Sequence, residues 1–264
     1  MQLKELTDHL ESIAPLHYQE SYDNAGLIVG SYDMEVKGVL VALDTTPAIV
    51  REAVEIGANV VIAHHPIIFK GLKKINGKTY IEKTIIEAIK NEIAIYAIHT
   101  NLDNVYVNGV NAKIAEKLAL QNTRILAPKL DLNPKGEVGS GMIGELDKEL
   151  SELDFLDYLK AMMGLKVVKH TEMLAKPVKT IAICGGSGGF LLSDAIKAGA
   201  DIFITADYKY HEYFDANGQI MIIDIGHYES ERFTIDLLYE LITEKFSNFA
   251  THSTKVDTNP IKYH

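Results

Sequence analysis

The chain has 264 residues, 47% of them hydrophobic and 23% charged, enough for one large α/β domain or two lobes with a sizeable core. The formal net charge of −10, with no block of clustered Lys and Arg, argues against nucleic acid as the primary partner. A single cysteine, Cys184, excludes a disulfide within the chain, and no apolar run approaches the ~20 residues of a membrane span. The charged, amphipathic opening MQLKELTDHLESIAP has no signal-peptide core, so the expectation is a soluble cytoplasmic protein.

Leu3, Leu6, Leu10 and Ile13 recur at helical spacing and predict a helix over 2–13, stopped by Pro15. Asp23-Asn24-Ala25-Gly26 is turn chemistry before a short strand at 27–29. Val36 to Leu43 reads as a buried strand. Asp44-Thr45-Thr46-Pro47 then carries N-cap chemistry for a helix to about Ile56, with Gly57 at its C′ position. Val60 to Ala63 is a second buried strand, ending in His64-His65-Pro66. Residues 68–79 are a basic, glycine-spaced loop, 80–90 a helix, and 92–98 a strand running into His99-Thr100-Asn101-Leu102-Asp103. A helix over 110–120 follows.

Asn133 to Gly144 contains Pro134 and four glycines, which predicts a lobe boundary there. A helix over 153–163 precedes a short strand at Val167-Val168. The stretch from Lys179 then repeats the one from Lys37 without a gap. Gly57 falls on Gly199, Val60-Val61-Ile62 on Ile202-Phe203-Ile204, and His65 on Asp207. The last strand, 220–225, ends at Gly226-His227, and a helix starting there places His227 and Glu231 one turn apart. The fold expected is α/β: two interlinked lobes with mixed, mainly parallel sheets and an internal duplication. Lobe 1 takes 1–132 and 229–264; lobe 2 takes 133–228.

Side chains able to bind metal follow the strand ends: His64 and His65, then His99 and Asp103, then His227 and Glu231. Parallel strands end on one side of a sheet, so these clusters can converge. Imidazole with carboxylate suits Zn, Mn, Fe, Co or Ni. Five or six such groups exceed one tetrahedral zinc and suit two ions roughly 3.5–4 Å apart. Adjacent histidines point to opposite faces of a regular strand, so the chain turns there or the centre holds two ions. Taken singly, Asp103 also fits an N-cap, His99 a residue that orients a ligand, and Glu231 a first-turn carboxylate. His17, His170, His252 and His264 read as structural or solvated. Gly185-Gly186-Ser187-Gly188-Gly189 is either a phosphate cradle or a tight strand-helix turn; it lacks a P-loop's Lys-Ser/Thr. Tyr208, Tyr210 and His211 stand near a strand end as substrate contacts, a proton shuttle or plain surface.

The segments YDNAGLIVG, VVIAHHP, AIHTNLD, TADYKYH and IDIGHYESER, in that order, resemble the GTP cyclohydrolase I type 2 homologues, the Nif-three-like dinuclear metal proteins. The resemblance implies two α/β lobes, a ring-shaped homohexamer and two divalent ions. By motif, the ligands would be His64, His65, Asp103, His227 and Glu231, with Glu231 as the bridge and His99 beside the site. It also implies hydrolysis, either of a nucleotide such as GTP through ring opening or of a phosphoester. His99 or His211 would move a proton, and Lys70, Lys73 or Lys74 would meet phosphates. The alternative is a non-catalytic, metal-binding oligomeric scaffold. Some relatives carry an insertion for which this chain is too short.

Overall fold

A computed structural model describes residues 1–264. The strands are β1 (Gly26–Val29), β2 (Val39–Ala42), β3 (Val60–Ala63), β4 (Ala94–Ala97), β5 (Gln121–Pro128), β6 (Gly139–Leu150), β7 (Lys169–His170), β8 (Val178–Ile183), β9 (Ile202–Thr205), β10 (Met221–Asp224) and β11 (Thr251–Ser253). The helices are α1 (Leu3–Ile13), α2 (Pro47–Glu55), α3 (Tyr80–Lys90), α4 (Thr100–Asp103), α5 (Val110–Lys117), α6 (Glu152–Met163), α7 (Leu192–Lys197), α8 (His227–Glu231) and α9 (Thr234–Lys245). They form two compact units. One is Met1–Leu102 with Thr234–Lys262, the other Asp103–Phe233 with Tyr263–His264.

The division therefore falls at 102/103 and 233/234, not at the expected 132/133 and 228/229. The Pro- and Gly-rich stretch after Asn133 is the end of the β5–β6 hairpin connection and the start of β6, inside one sheet. Its glycines relieve close approaches instead of marking a linker. A Cβ at Gly139, where φ is +157°, would collide with Ala127 O, and one at Gly144 would meet Thr123 Cγ2 at 2.8 Å.

The first unit is a five-stranded sheet in the order β1-β4-β3-β2-β11. Only β1 runs antiparallel. The side chains of β2, β3 and β4 are buried throughout, which is why they read as continuous apolar runs. Ile49, Val50 and Ala53 of α2 pack on this sheet with Leu40, Val61 and Ile95. Thr46 caps α2 by accepting from Ile49 N, and Pro47 opens it.

The second unit is a six-stranded sheet in the order β5-β6-β8-β9-β10-β7. Both sheets are mixed, as expected, but the second is less parallel than the first: three of its five junctions are antiparallel. The β5–β6 hairpin supplies two of them and the short edge strand β7 the third. That strand lies at Lys169–His170, not at Val167-Val168, because its register is set by pairing with Ile223 and Asp224.

The repeat holds bond by bond. Val39 pairs with Val60, and Ile181 with Ile202, at the same offset. Gly57 and Gly199 have φ of +74° and +77°. Lys37 N donates to Asn59 Oδ1 (2.7 Å), and Lys179 N to Asp201 Oδ2 (2.9 Å). Ala58 N bonds Ala53 O (2.9 Å), and Ala200 N bonds Ala195 O (3.0 Å). In each copy the helix ends in a glycine free of Cβ strain, and the next residues turn straight into the second strand.

Candidate functional site

In the first unit, β3 ends at Ala63, but its ladder continues for two residues: His64 N bonds Ala42 O (3.2 Å) and His65 N bonds Leu43 O (2.9 Å). The chain turns there before Pro66, so the two imidazoles do not diverge. Their centroids lie 4.9 Å apart, and each is just over 5 Å from the ring of His99. One ring nitrogen from each of the three lies within 4.8 Å of the others.

Each imidazole is held through Nδ1. His64, fully buried, bonds Ile98 O at 2.9 Å. His65 bonds Asp44 Oδ1 at 2.8 Å, and His99 bonds Asp23 Oδ1 at 2.8 Å. A carbonyl or an ionised carboxylate can only accept, so Nδ1 carries the hydrogen in each case. In the neutral ring, Nε2 is then the lone-pair nitrogen. An acceptor on the far nitrogen is what orients a histidine as a metal ligand.

Asp23 is more than a turn residue. Its Oδ1 also accepts from Asn24 N (2.7 Å), and its Oδ2 accepts from Thr100 N (3.0 Å) and Thr100 Oγ1 (2.5 Å). Burial pushes its carboxyl up, but the bond and charge of His99 and the Thr100 hydroxyl outweigh that and hold it at about 2. Asp23 is therefore ionised at neutral pH. Asn24 Nδ2 donates to Ile68 O (2.7 Å), tying the same turn to the loop that follows His65.

In the second unit, α8 begins at His227 after Gly226, whose φ is +92°. His227 Nε2 lies 3.0 Å from Glu231 Oε2, one turn on, as the spacing predicts. His227 Nδ1 bonds Asp207 Oδ2 at 2.8 Å. A carboxylate oxygen of Asp103 lies within 4.8 Å of one on Glu231, which is almost fully buried. Glu231 thus stands between Asp103 and His227.

The glycine loop seats these groups and is not a phosphate cradle, since three of its amides are engaged internally. Gly185 N donates to Asn111 Oδ1 (3.0 Å), Gly186 N to Ser230 Oγ (2.9 Å) and Gly188 N to Thr205 Oγ1 (2.9 Å). Asn111 Nδ2 donates in turn to Asp103 O (3.2 Å). A Cβ at Gly186, where φ is +62°, would collide with Glu231 Oε1. The carboxylate needs that missing side chain.

His211 is exposed on the 3-10 helix Tyr210–Ala216, its ring edge-on to Tyr210, and is not gathered with His227 and Glu231. Lys70, Lys73 and Lys74 are exposed in the loop after His65. Sequence reasoning assigns no part in the site to Asp23, Asp44, Asn111 or Asp207. For Asp23, Asp44 and Asp207 the one signal is position, a short polar residue just past a strand or in the turn beside it; Asn111, in the first turn of α5, has none.

Two α/β units whose parallel strands end in imidazole and carboxylate groups able to hold a metal ion define the class of protein. The sequence model of Duf34/NIF3 (NGG1p interacting factor 3) matches residues 1–260, and the chain belongs to this family. It is 35% identical over 249 residues to a Clostridium perfringens protein called GTP cyclohydrolase 1 type 2 homolog, covering 94% of each chain. A Campylobacter jejuni protein of the same name is 36% identical over 234 residues, 88% of each. Among solved structures, a Staphylococcus aureus hypothetical protein superposes with a TM-score of 0.92 at 31% identity, covering 100% of this chain and 99% of that one. Against a Staphylococcus epidermidis relative the alignment runs over 368 positions, so that protein carries residues that this 264-residue chain lacks. No helix here is long and apolar enough to cross a membrane.

Proposed function

We propose that this protein is a hydrolase dependent on two divalent metal ions. His64, His65, Asp103, His227 and Glu231 would be the ligands, with Glu231 bridging. One observation carries the reading: the three ligand histidines, and His99 beside them, bond an acceptor through Nδ1 at 2.8–2.9 Å, so that each presents Nε2. Imidazole Nε2 and carboxylate oxygen together suit Zn, Mn, Fe, Co or Ni.

Ions bound there would supply a water acidified to near neutral pH and a Lewis acid for the substrate. The residues of the chain do the rest. His99, held by ionised Asp23, exchanges a proton with substrate or water through Nε2. Phe69, half-exposed and 5.6 Å from the His99 ring, offers a face to a planar group. Lys70, Lys73 and Lys74 in the same loop favour an anionic substrate, for which a nucleotide such as GTP is the first candidate. Nothing in the surroundings of His211 supports a part in the chemistry. The homohexamer and the cytoplasmic location belong to the same reading.

The test is a metal-dependent activity screen over nucleotides and phosphoesters, with elemental analysis of the same sample and sedimentation to count subunits. Turnover that needs about two ions per chain and disappears in His65→Ala supports the proposal. Metal-loaded protein without turnover on the whole panel overturns the enzyme in favour of a metal-binding scaffold.

A further inference from the structure

β11 runs parallel to β2, with Thr251 beside Val39 and Ser253 beside Val41. The chain after β11 therefore travels toward the carboxyl end of β2, where Asp44 lies. Thr254 N continues the ladder to Val41 O (2.9 Å). The Thr254 hydroxyl and Lys255 N both bond the Glu52 carboxylate on α2, and Val256 packs on the core of the unit. This path delivers Thr258 to Asp44. Thr258 Oγ1 donates to Asp44 Oδ2 at 2.6 Å, across 214 residues of sequence. The other oxygen, Asp44 Oδ1, is the one that accepts from His65 Nδ1 at 2.8 Å.

We infer that Thr258 and Asp44 are positioning residues for His65, a hydroxyl–carboxylate–imidazole relay in which the carboxyl-terminal segment sets the nitrogen that His65 presents. The inference rests on the metal reading for its purpose but not for its geometry. Asp44 has two oxygens in one plane. With Oδ2 fixed by a short bond from a hydroxyl, Oδ1 stays in line with the His65 ring, and the proton stays on Nδ1. Loss of that hydroxyl removes the bond that seats Oδ2, and with it a constraint on the line from Oδ1 to the His65 ring and on the His65 tautomer. The segment after β11 is thus a strap across the strand end, joining the ligand set through one hydrogen bond. The other two imidazoles of this cluster do not share the relay. His64 is held by a backbone carbonyl, and His99 by Asp23.

The full chain is tested as Thr258→Val, Thr258→Ser and Asp44→Ala. Nitrogen-15 NMR of the histidine rings without metal reads the tautomer, with His99 as the internal control. Competition titration with Co²⁺ reads affinity. Thr258→Val is expected to convert the His65 signature from a locked Nδ1–H form to a mixture, leave His99 unmoved and weaken Co²⁺ binding by roughly tenfold, the lower end of the usual loss for such partners. Thr258→Ser is expected to restore both readings to within about twofold, and Asp44→Ala to cost more than Thr258→Val. A wild-type His65 signature in Thr258→Val overturns the relay, as does equal loss in Thr258→Ser. If wild-type protein takes up no Co²⁺ at all, the metal reading fails, and the NMR comparison alone decides the relay.

Discussion

The two β-α-β repeats share their backbone bonds and differ in what they carry at the end of the second strand. In the first unit, β3 runs into His64 and His65; in the second, β9 runs into Ala206 and Asp207. The backbone there is not the same either. Asp207 takes a left-handed φ of +55°, which turns its carboxylate onto His227 Nδ1. One copy thus presents imidazoles directly, whereas the other presents the carboxylate that holds an imidazole from helix α8. A shared scaffold of hydrogen bonds fixes where a side chain emerges. In the metal-binding reading, the residue at that point decides whether it would be a ligand or the partner of one.

This contrast can be broken by experiment. His65→Ala should have the largest effect, lowering metal affinity by more than the roughly 100-fold upper range for outer partners, whereas Asp207→Ala at the matching position should stay within about 10–100-fold. Isothermal titration with Zn²⁺ or Co²⁺ measures both; equal losses would erase the distinction between ligand and partner. Gly186→Ala should come next. The left-handed φ alone costs about 1–2 kcal/mol, and displacement of Glu231 adds a loss of metal uptake without global unfolding. Thermal melts beside elemental analysis separate the two.

Asp23→Asn probes the first unit through pH. The folded-state pKa of Asp23, about 2, lies below its ordinary value of 3.8, so its contribution is complete above about pH 4 and is lost as pH falls toward 2. Acid unfolding should therefore separate wild type from Asp23→Asn at pH 6 and bring them together near pH 2. A gap independent of pH would place the effect elsewhere. The smallest effects are expected at Gly57→Ala and Gly199→Ala. Both positions are left-handed with nothing within 4 Å of a new Cβ, so each should cost only the backbone strain of about 1 kcal/mol. Unequal costs in urea melts would argue that the repeats match in geometry but not in local stability.

Much of this architecture is legible in the amino-acid sequence. The helices over 3–13, 47–55, 80–90 and 152–163 and the strands β2, β3 and β4 follow from period, caps and buried apolar runs, all local properties. The repeat is legible because Gly57 and Gly199 punctuate it at a constant offset. The one-turn pairing of His227 with Glu231 is legible because helical spacing is fixed. The unit boundary is not. Proline and glycine after Asn133 mark a tight turn whether it joins two strands or two lobes, and only the pairing of Arg124 with Ile143 tells them apart.

By itself, the sequence determined which residues could bind a metal and on which strand ends they stand, because residue type and periodicity are written locally. Tertiary structure alone decided which nitrogen each histidine presents. That depends on acceptors brought from far along the chain: Asp23 beside His99, Ile98 O beside His64, Asp44 and behind it Thr258 beside His65, and Asp207 beside His227. A carboxylate's partner is set by folding geometry, and no local pattern encodes it.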